Sequence, residues 1–286
     1  MSTAALTDGP ARERRSPLLD ELAAIAVVWH RELLRFARNR LRMVTSLVQP
    51  LLFLFILGSG LSSMLPASGH IDFRTFMFPG IIAMTVFFTA LTSAMSIVWD
   101  REFGFMREML VAPVHRGAIV LGKCAGGATV ATLQGVVILA LAGVVHVPYS
   151  GGLLLTLVGE MVLAAVSLTA LGLLLASRMT QVESFMAVVN FVMLPMFFLS
   201  GAIFPPKGLP GWLSVLVRFD PLTYAVDPIR RAVFAHVQGS PAIKQALSAG
   251  VRWGDWTLPI RIELGLIAAI GILMLVLAIH EFGRTE

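Results

Sequence analysis

Residues 185–231 read FMAVVNFVMLPMFFLSGAIFPPKGLPGWLSVLVRFDPLTYAVDPIRR, and the fold turns on this stretch. Its first part, 185–204, is an apolar run interrupted by Asn190 and Pro195. At about 1.5 Å per residue it is long enough to cross a hydrocarbon core of about 30 Å. The residues after it do not make a polar soluble loop. Pro205-Pro206 and a Gly/Pro-rich turn (KGLPGW) lead into LSVLVRF, and Trp212, Leu213, Leu216 and Phe219 repeat at helical spacing. That pattern predicts a short helix lying at, or dipping into, the membrane boundary. Asp220-Pro221 and Asp227-Pro228 each offer a helix start, with Asp as capping acceptor and Pro at the first helical position.

The rest of the composition agrees with a membrane protein. Of 286 residues, 57% are hydrophobic and only 14% charged, and mean hydropathy is +0.82. A soluble domain of this length needs far more charge to cover its surface. One integral-membrane unit is therefore expected rather than one or two soluble domains. A net charge of +5 and a pI near 10.1 raise nucleic acid as a partner. The arrangement argues against it, because most of the excess base precedes the first apolar run, as the positive-inside rule requires. Cys124 is the single cysteine, which excludes an internal disulfide and a thiolate metal cluster.

Taken from its start, the chain opens with small, polar and basic residues 1–15, expected to be a mobile tail. Ser16-Pro17 starts a helix with Asp20 and Glu21 in its first turn. Leu18, Leu22, Ile25, Trp29, Leu33 and Phe36 then recur at spacings of three and four, with Arg31, Arg35, Arg38, Arg40 and Arg42 on the other faces. Region 1–42 thus reads as a cytoplasmic tail and an amphipathic interfacial helix, with arginines for anionic headgroups of membrane lipid. A signal peptide does not fit: the apolar AAIAVVW is short, follows acidic residues and precedes no small-x-small cleavage site. Spans are expected at about 43–61, 76–98, 118–145, 153–176, 185–204 and 260–279, making 43–286 one membrane domain. Six crossings put both termini on one side, and the basic start assigns that side to the cytoplasm. Trp253 and Trp256 read as an outer boundary belt before the last span.

Between the second and third spans lies DREFGFMREMLVAPVHRG, residues 100–117. Asp100 is placed to cap a helix that Pro113 ends. Arg101, Glu102, Arg107 and Glu108 alternate along it with Phe103, Phe105, Met106 and Leu110. Such a segment is too charged to span and too apolar to be simply solvated. It either rests on lipid or is a coupling helix that docks in a groove of a partner subunit.

Other motifs are weaker. Gly117 to Lys123 spells GAIVLGK, the frame of a phosphate-binding loop, but Cys124 follows where a hydroxyl must hold magnesium. The string also opens a membrane helix instead of following a strand, so no nucleotide or other cofactor is expected in this chain. Gly122 and Gly126 form a GxxxG, which permits close helix approach and is common by chance in a Gly-rich chain. Glu160 is a carboxylate deep in the fourth span: it either stabilises a helix contact, protonated or paired, or carries a proton or substrate cation. Asn190 either bonds a neighbouring helix or lines a substrate path. Arg230 and Arg231 contact headgroups, cap a neighbouring helix or form a partly solvated pair. The histidines show no HxxxH or HxxE spacing for a metal, and there is no GxSxG, Ser/His/Asp set or catalytic carboxylate pair.

The string LSGAIFPPKGLPGWLSVLVRFDPLTYAVDPIRR, residues 199–231, resembles the last-but-one transmembrane helix and outer re-entrant segment of a type-2 ATP-binding-cassette (ABC-2) permease of the daunorubicin-resistance kind. The resemblance extends from about Met43 to the C-terminus. It implies an all-α integral membrane fold of six transmembrane helices, with an interfacial helix before them and outer re-entrant helices over 204–231. It implies a transport subunit rather than an enzyme, with ATP and magnesium held by a separate ATPase subunit. Arg101, Glu102, Arg107, Glu108 and Pro113 are then the ATPase-coupling residues. A second permease, identical or paralogous, completes a dimer in the cytoplasmic membrane, with a pathway lined by the second and fifth helices. Asn190, Met193, Phe197, Phe204 and Tyr224 are the candidate path and outer-gate residues, and the implied cargo is an amphipathic drug, lipid or glycolipid. The rival reading is an ion- or proton-coupled carrier built on Glu160. An intramembrane transferase or an assembly scaffold is a third.

Overall fold

The computed structural model describes residues 17–64, 73–105, 115–203, 210–237, 250–253 and 256–285. Arg107, Glu108, Pro113 and Phe204 lie outside them. Among the described residues, six helices are long and apolar enough to cross a membrane: Arg40–Ser62, Phe73–Glu102, Arg116–Leu139, Gly151–Ser177, Val182–Leu199 and Ile260–Arg284. Six crossings return the chain to the end of the bundle where it began, here the near end; the opposite one is the far end.

Helix α1 (Pro17–Arg38) breaks at Asn39, whose side chain accepts from the Arg42 N–H and starts α2 (Arg40–Leu52). Pro50 removes one donor from this helix, and within a turn the ladder widens into a π segment, Phe53–Leu57, before resuming as α3 (Gly58–Met64). A proline and a π-bulge are recognised causes of such an irregularity. The second span is α4 (Phe73–Ser93) followed by α5 (Met95–Glu102). Every residue from Thr75 to Phe87 is buried, which makes α4 the axis of the bundle. At about 1.5 Å per residue the joint helix exceeds the hydrocarbon thickness by about 15 Å, so its last turns stand at the near boundary.

The third span, α6 (Arg116–Leu139), ends six residues before the position expected from hydropathy (139 against 145). A 3-10 turn at Ala142–Val145 and a left-handed His146 (φ 59°) reverse the chain instead. Ser150 then caps α7 (Gly151–Ser177), accepting from the Leu153 N–H. The fifth span is α8 (Val182–Leu199), which ends at a turn in which Gly201 takes φ 74°, open to glycine at no steric cost. Two short helices follow, α9 (Gly211–Phe219) and α10 (Thr223–His236), then a two-stranded hairpin that pairs Trp253 with Trp256, and the last span, α11 (Ile260–Thr285). Asp227-Pro228 does not start a helix. Asp220 has already taken the capping role, accepting from the Leu222 N–H and the Thr223 hydroxyl, so Pro228 falls inside α10.

Helix α1 packs along α6, and the GxxxG of the sequence is its seat. A Cβ on Gly122 would stand 2.7 Å from Val28 Cβ, and one on Gly126 the same distance from Glu32 Cβ. Ile25 and Val28 lie half-buried on this face, and the Trp29 indole N–H donates to the Thr129 hydroxyl at 3.1 Å. Leu18 and Leu22 stay exposed. The apolar positions are therefore divided between protein and lipid rather than presented as one lipid-facing stripe. Gly126→Leu should lift α1 from α6 at a cost of about 1–3 kcal/mol, the usual range for overpacking. Faster amide exchange across residues 17–38, with α7 unaffected, is the expected readout.

Candidate functional site: charged junctions at the two ends of the bundle

The near-end junction joins α1, α5 and α6. Lys123 Nζ donates to Asp100 Oδ2 at 2.6 Å, to Ser96 Oγ at 3.0 Å and to Glu32 Oε1 at 3.2 Å. Arg31 Nη2 and Arg35 Nη2 reach the same aspartate at 2.7 and 3.0 Å. The Lys123 and Asp100 side chains are 1% and 2% exposed, whereas the two arginines keep about a third of their surface in solvent (37% and 34%). A lysine and an aspartate are tolerated at such a site only because each satisfies the other. Asp100 is thus the shared acceptor of three cations. It does not cap a helix over 100–117: it lies inside α5, which continues the second span to Glu102. Two of the α1 arginines expected on headgroups are spent on it. Lys123, which the sequence offered only as part of a phosphate-loop look-alike, is the link between helices. An ammonium in an apolar helix and an acid at a span end were the signals that pointed to it.

Arg101 and Glu102, the last two residues of α5, both act on the loop between α7 and α8. Arg101 Nη1 donates to the carbonyls of Met179 (2.8 Å) and Ser177 (3.1 Å), and its guanidinium lies 5.9 Å from the Phe282 ring centroid. Glu102 Oε2 accepts from the Val182 N–H at 2.8 Å, placing a negative charge at the α8 N-terminus. The two residues thereby fasten the orphan carbonyls of one helix and an orphan N–H of the next. Beyond them Phe103 (67% exposed) and Phe105 (54%) project from the near end.

The far-end junction gathers α7, α10 and α11. Arg230 is buried, stacks 4.9 Å from the Phe76 ring centroid, and donates to the Gly201 and Ala202 carbonyls that follow α8. Of its readings, capping a neighbouring helix is the one realised. Burial lowers its pKa to about 10, which leaves it charged at neutral pH. Arg231 Nη2 lies 2.6 Å from Asp227 Oδ2 and 2.8 Å from Glu263 Oε1, and Nη1 donates to the Leu258 carbonyl at 2.9 Å. Glu160 is buried within electrostatic reach of Asp227. Sequence reading singled out Glu160 and the arginines but missed Asp227 and Glu263 as buried acids: Asp227 looked like a helix cap, and Glu263 carried no motif.

The four described path candidates stand in different surroundings within a single chain. Met193 and Phe197 are buried on α8, with Phe197 edge-on to Phe88 (5.9 Å) and Phe53 (6.0 Å). Asn190 is exposed beside Phe191 and Leu194. Tyr224 is buried, its hydroxyl donating to the Arg218 carbonyl at 2.6 Å, so it fastens α9 to α10.

Comparison with known proteins agrees with this architecture. The chain is 28% identical over 209 residues to a candidate transport permease, ycf38, of Cyanophora paradoxa, covering 71% of this chain and 72% of that one. It is 29% identical over 212 residues to nodulation protein J of Rhizobium leguminosarum bv. trifolii, covering 73% and 80%. A probable multidrug ABC transporter permease, YbhR, of Escherichia coli strain K12 is 32% identical over 161 residues, which span 55% of this chain and 43% of the relative. Residues 23–234, from within α1 through the fifth span to α10, match the family profile described as ABC-2 type transporter. With six apolar spans and that match over most of its length, the chain belongs to the ABC-2 type transporter family.

Proposed function

We propose that this chain is the membrane subunit of an ATP-driven exporter that moves a hydrophobic or amphipathic substrate (drug, lipid or glycolipid) and is powered by a separate ATPase subunit holding ATP and magnesium. The observation that carries this reading is the Lys123–Asp100 junction. It ties α1 to the end of the long second span, so that a push on the segment after Phe105 moves α1, α5 and α6 together. In this reading the near end is cytoplasmic, in keeping with the arginines around the α1–α2 elbow. Arg38 and Arg40, which Asp100 does not engage, line an open depression there, suited to anionic headgroups. Because Arg101 and Glu102 are engaged on the α7–α8 loop, ATPase docking falls to Arg107 and Glu108, with Pro113 closing the segment.

A second copy or a paralogue would cover the apolar faces of α2 and α8. Val44, Val48 and Leu52 on one, and Phe191, Leu194 and Phe198 on the other, are exposed in a single chain. Asp100, Lys123 and Glu263 of the spans are committed to ion pairs at the two ends, which favours an amphipathic cargo over a small ion.

Reconstitution into vesicles with and without the cognate ATPase tests this. Transport should require both proteins and ATP, and reversing the charges of Arg107 and Glu108 together should abolish co-purification while the membrane subunit stays folded. Transport by the chain alone, lost in Glu160→Gln, would instead establish a carrier built on that carboxylate.

A further inference from the structure

Asp227 and Glu263 are held side by side on one guanidinium nitrogen of Arg231, at 2.6 and 2.8 Å. Among the described residues, Asp227 Oδ2 and Glu263 Oε2 have no hydrogen-bond donor; Arg231 approaches the former at ion-pair distance without hydrogen-bond alignment. Asp227 is 4% and Glu263 0% exposed, so solvent does not make good the deficit. Two buried carboxylates gathered on one guanidinium nitrogen, each with an oxygen that lacks a donor, are unfavourable while both are ionised. One proton gives the pair its missing donor and removes the repulsion, as in other paired acids. The charge count leads to the same place. Glu160, Asp227 and Glu263 bring three negative charges to Arg230 and Arg231, and one proton makes the junction neutral.

We propose that Asp227 and Glu263 form a proton-binding site, in which one shared proton, held beside Arg231, latches α10 onto α11 next to α7. When the proton leaves, two carboxylates confront each other with Glu160 as a third, and the latch weakens. The latched form therefore prevails at low pH and is lost as pH rises at the far end.

Other groups face the pair from each neighbouring element. Helix α7 contributes Glu160, whose Oε2 also has no donor among the described residues. Helix α10 contributes Arg230 and Tyr224, the latter within the field of Glu263, and Arg218 and Asp220 at the α9 end act on Tyr224. The Val251 N–H reaches Glu263 from the hairpin segment. Helix α4 presents the Phe76 ring and the half-buried Arg74, and no carboxylate in its own length. None of this depends on which motor drives the protein or what it carries.

The test uses the purified full-length chain in lipid nanodiscs. Infrared difference spectra, recorded as pH is stepped upward, should show a protonated-carboxyl stretch that Glu263→Gln or Asp227→Asn removes. Asp220→Asn is the control, because burial raises that carboxyl to about 7, and it should leave the band in place. Amide exchange across residues 223–237, corrected for intrinsic chemistry, should quicken several-fold from mildly acidic to alkaline pH in the wild type. It should stay flat in Glu263→Gln, whose amide keeps a donor for Asp227. A band that survives both variants and vanishes in Glu160→Gln overturns the assignment. So does a spectrum of Asp220→Asn that shows no protonated-carboxyl band, a measurement that leaves Asp227 and Glu263 untouched.

Discussion

Asp100→Ala should be among the most damaging single substitutions in this chain, and Lys123→Met should be clearly milder. The order follows from counting charges at the near-end junction. Arg31, Arg35 and Lys123 face Glu32 and Asp100, three cations against two carboxylates. Removing Lys123 leaves two of each sign, and the half-exposed arginines still neutralise Asp100. Removing Asp100 leaves three cations on one carboxylate, with the ammonium of Lys123 in a site that is 1% exposed. Breaking a buried pair in this way costs about 3–5 kcal/mol. The arginines contribute little of that, since solvent screens them; the dry Lys123–Asp100 contact dominates. Thermal unfolding in detergent should show the Asp100→Ala loss, and amide exchange should place it in residues 17–38. Adding Lys123→Met to Asp100→Ala should recover part of it, because the double variant no longer buries an unpaired ammonium. A double variant no better than Asp100→Ala alone would show that the junction is not held together by this pair.

The second large effect is expected at the far end, for Arg230→Met. Arg230 supplies donors to the Gly201 and Ala202 carbonyls and a cation above Phe76. The turn it holds has little freedom to shift, because Ala202 already presses on Gly80 of α4, where a Cβ would collide with the Ala202 carbonyl. A desolvated cation–π contact contributes about 2 kcal/mol, and two buried carbonyls would lose their donor as well. The loss should reach about 3 kcal/mol. It should stop short of the Asp100→Ala effect, because the three carboxylates left with Arg231 alone can take up protons to relieve their repulsion. Arg230→Lys should recover only part, since an ammonium reproduces neither the planar stack nor the fork of donors. Thermal unfolding of the three proteins side by side checks the ranking. Equal stability of Arg230→Lys and wild type would contradict the role given to the planar group.

Glu102→Ala belongs to a lower tier. It removes the acceptor at the α8 N-terminus, worth about 1 kcal/mol for a capping interaction, and leaves the core untouched. Faster exchange confined to residues 178–185 is expected.

Length and polarity made the bundle legible before any coordinates. The apolar run from Phe185, the basic residues ahead of Met43 and the amphipathic piece around Trp212 reflect the demands a bilayer makes on a backbone that must satisfy its own hydrogen bonds. The helix over 17–38 was likewise readable from its spacing. Its seat was not, because the same spacing serves a helix on lipid and a helix on protein; only the proximity of Gly122 and Gly126 to Val28 and Glu32 distinguishes them. Asp100 and Asp227 misled for a common reason. An aspartate ahead of a helix-forming run has a local capping preference, but Asp100 lies inside α5 and is claimed by Lys123 from another helix, and Asp227 lies inside α10 and is claimed by Arg231 one turn on.

By itself the sequence determined that this protein is a bundle of six membrane helices with an arginine-rich helix in front. Hydrophobicity and helix length are properties of each segment alone, and the bilayer reads them segment by segment. The tertiary structure decided which charges meet. Lys123 finds Asp100 from 23 positions away and Glu32 from 91, and Arg231 finds Glu263 from 32. Ion pairing in a medium of low dielectric depends on distances of a few ångströms between separate helices, and no periodicity within one helix encodes them.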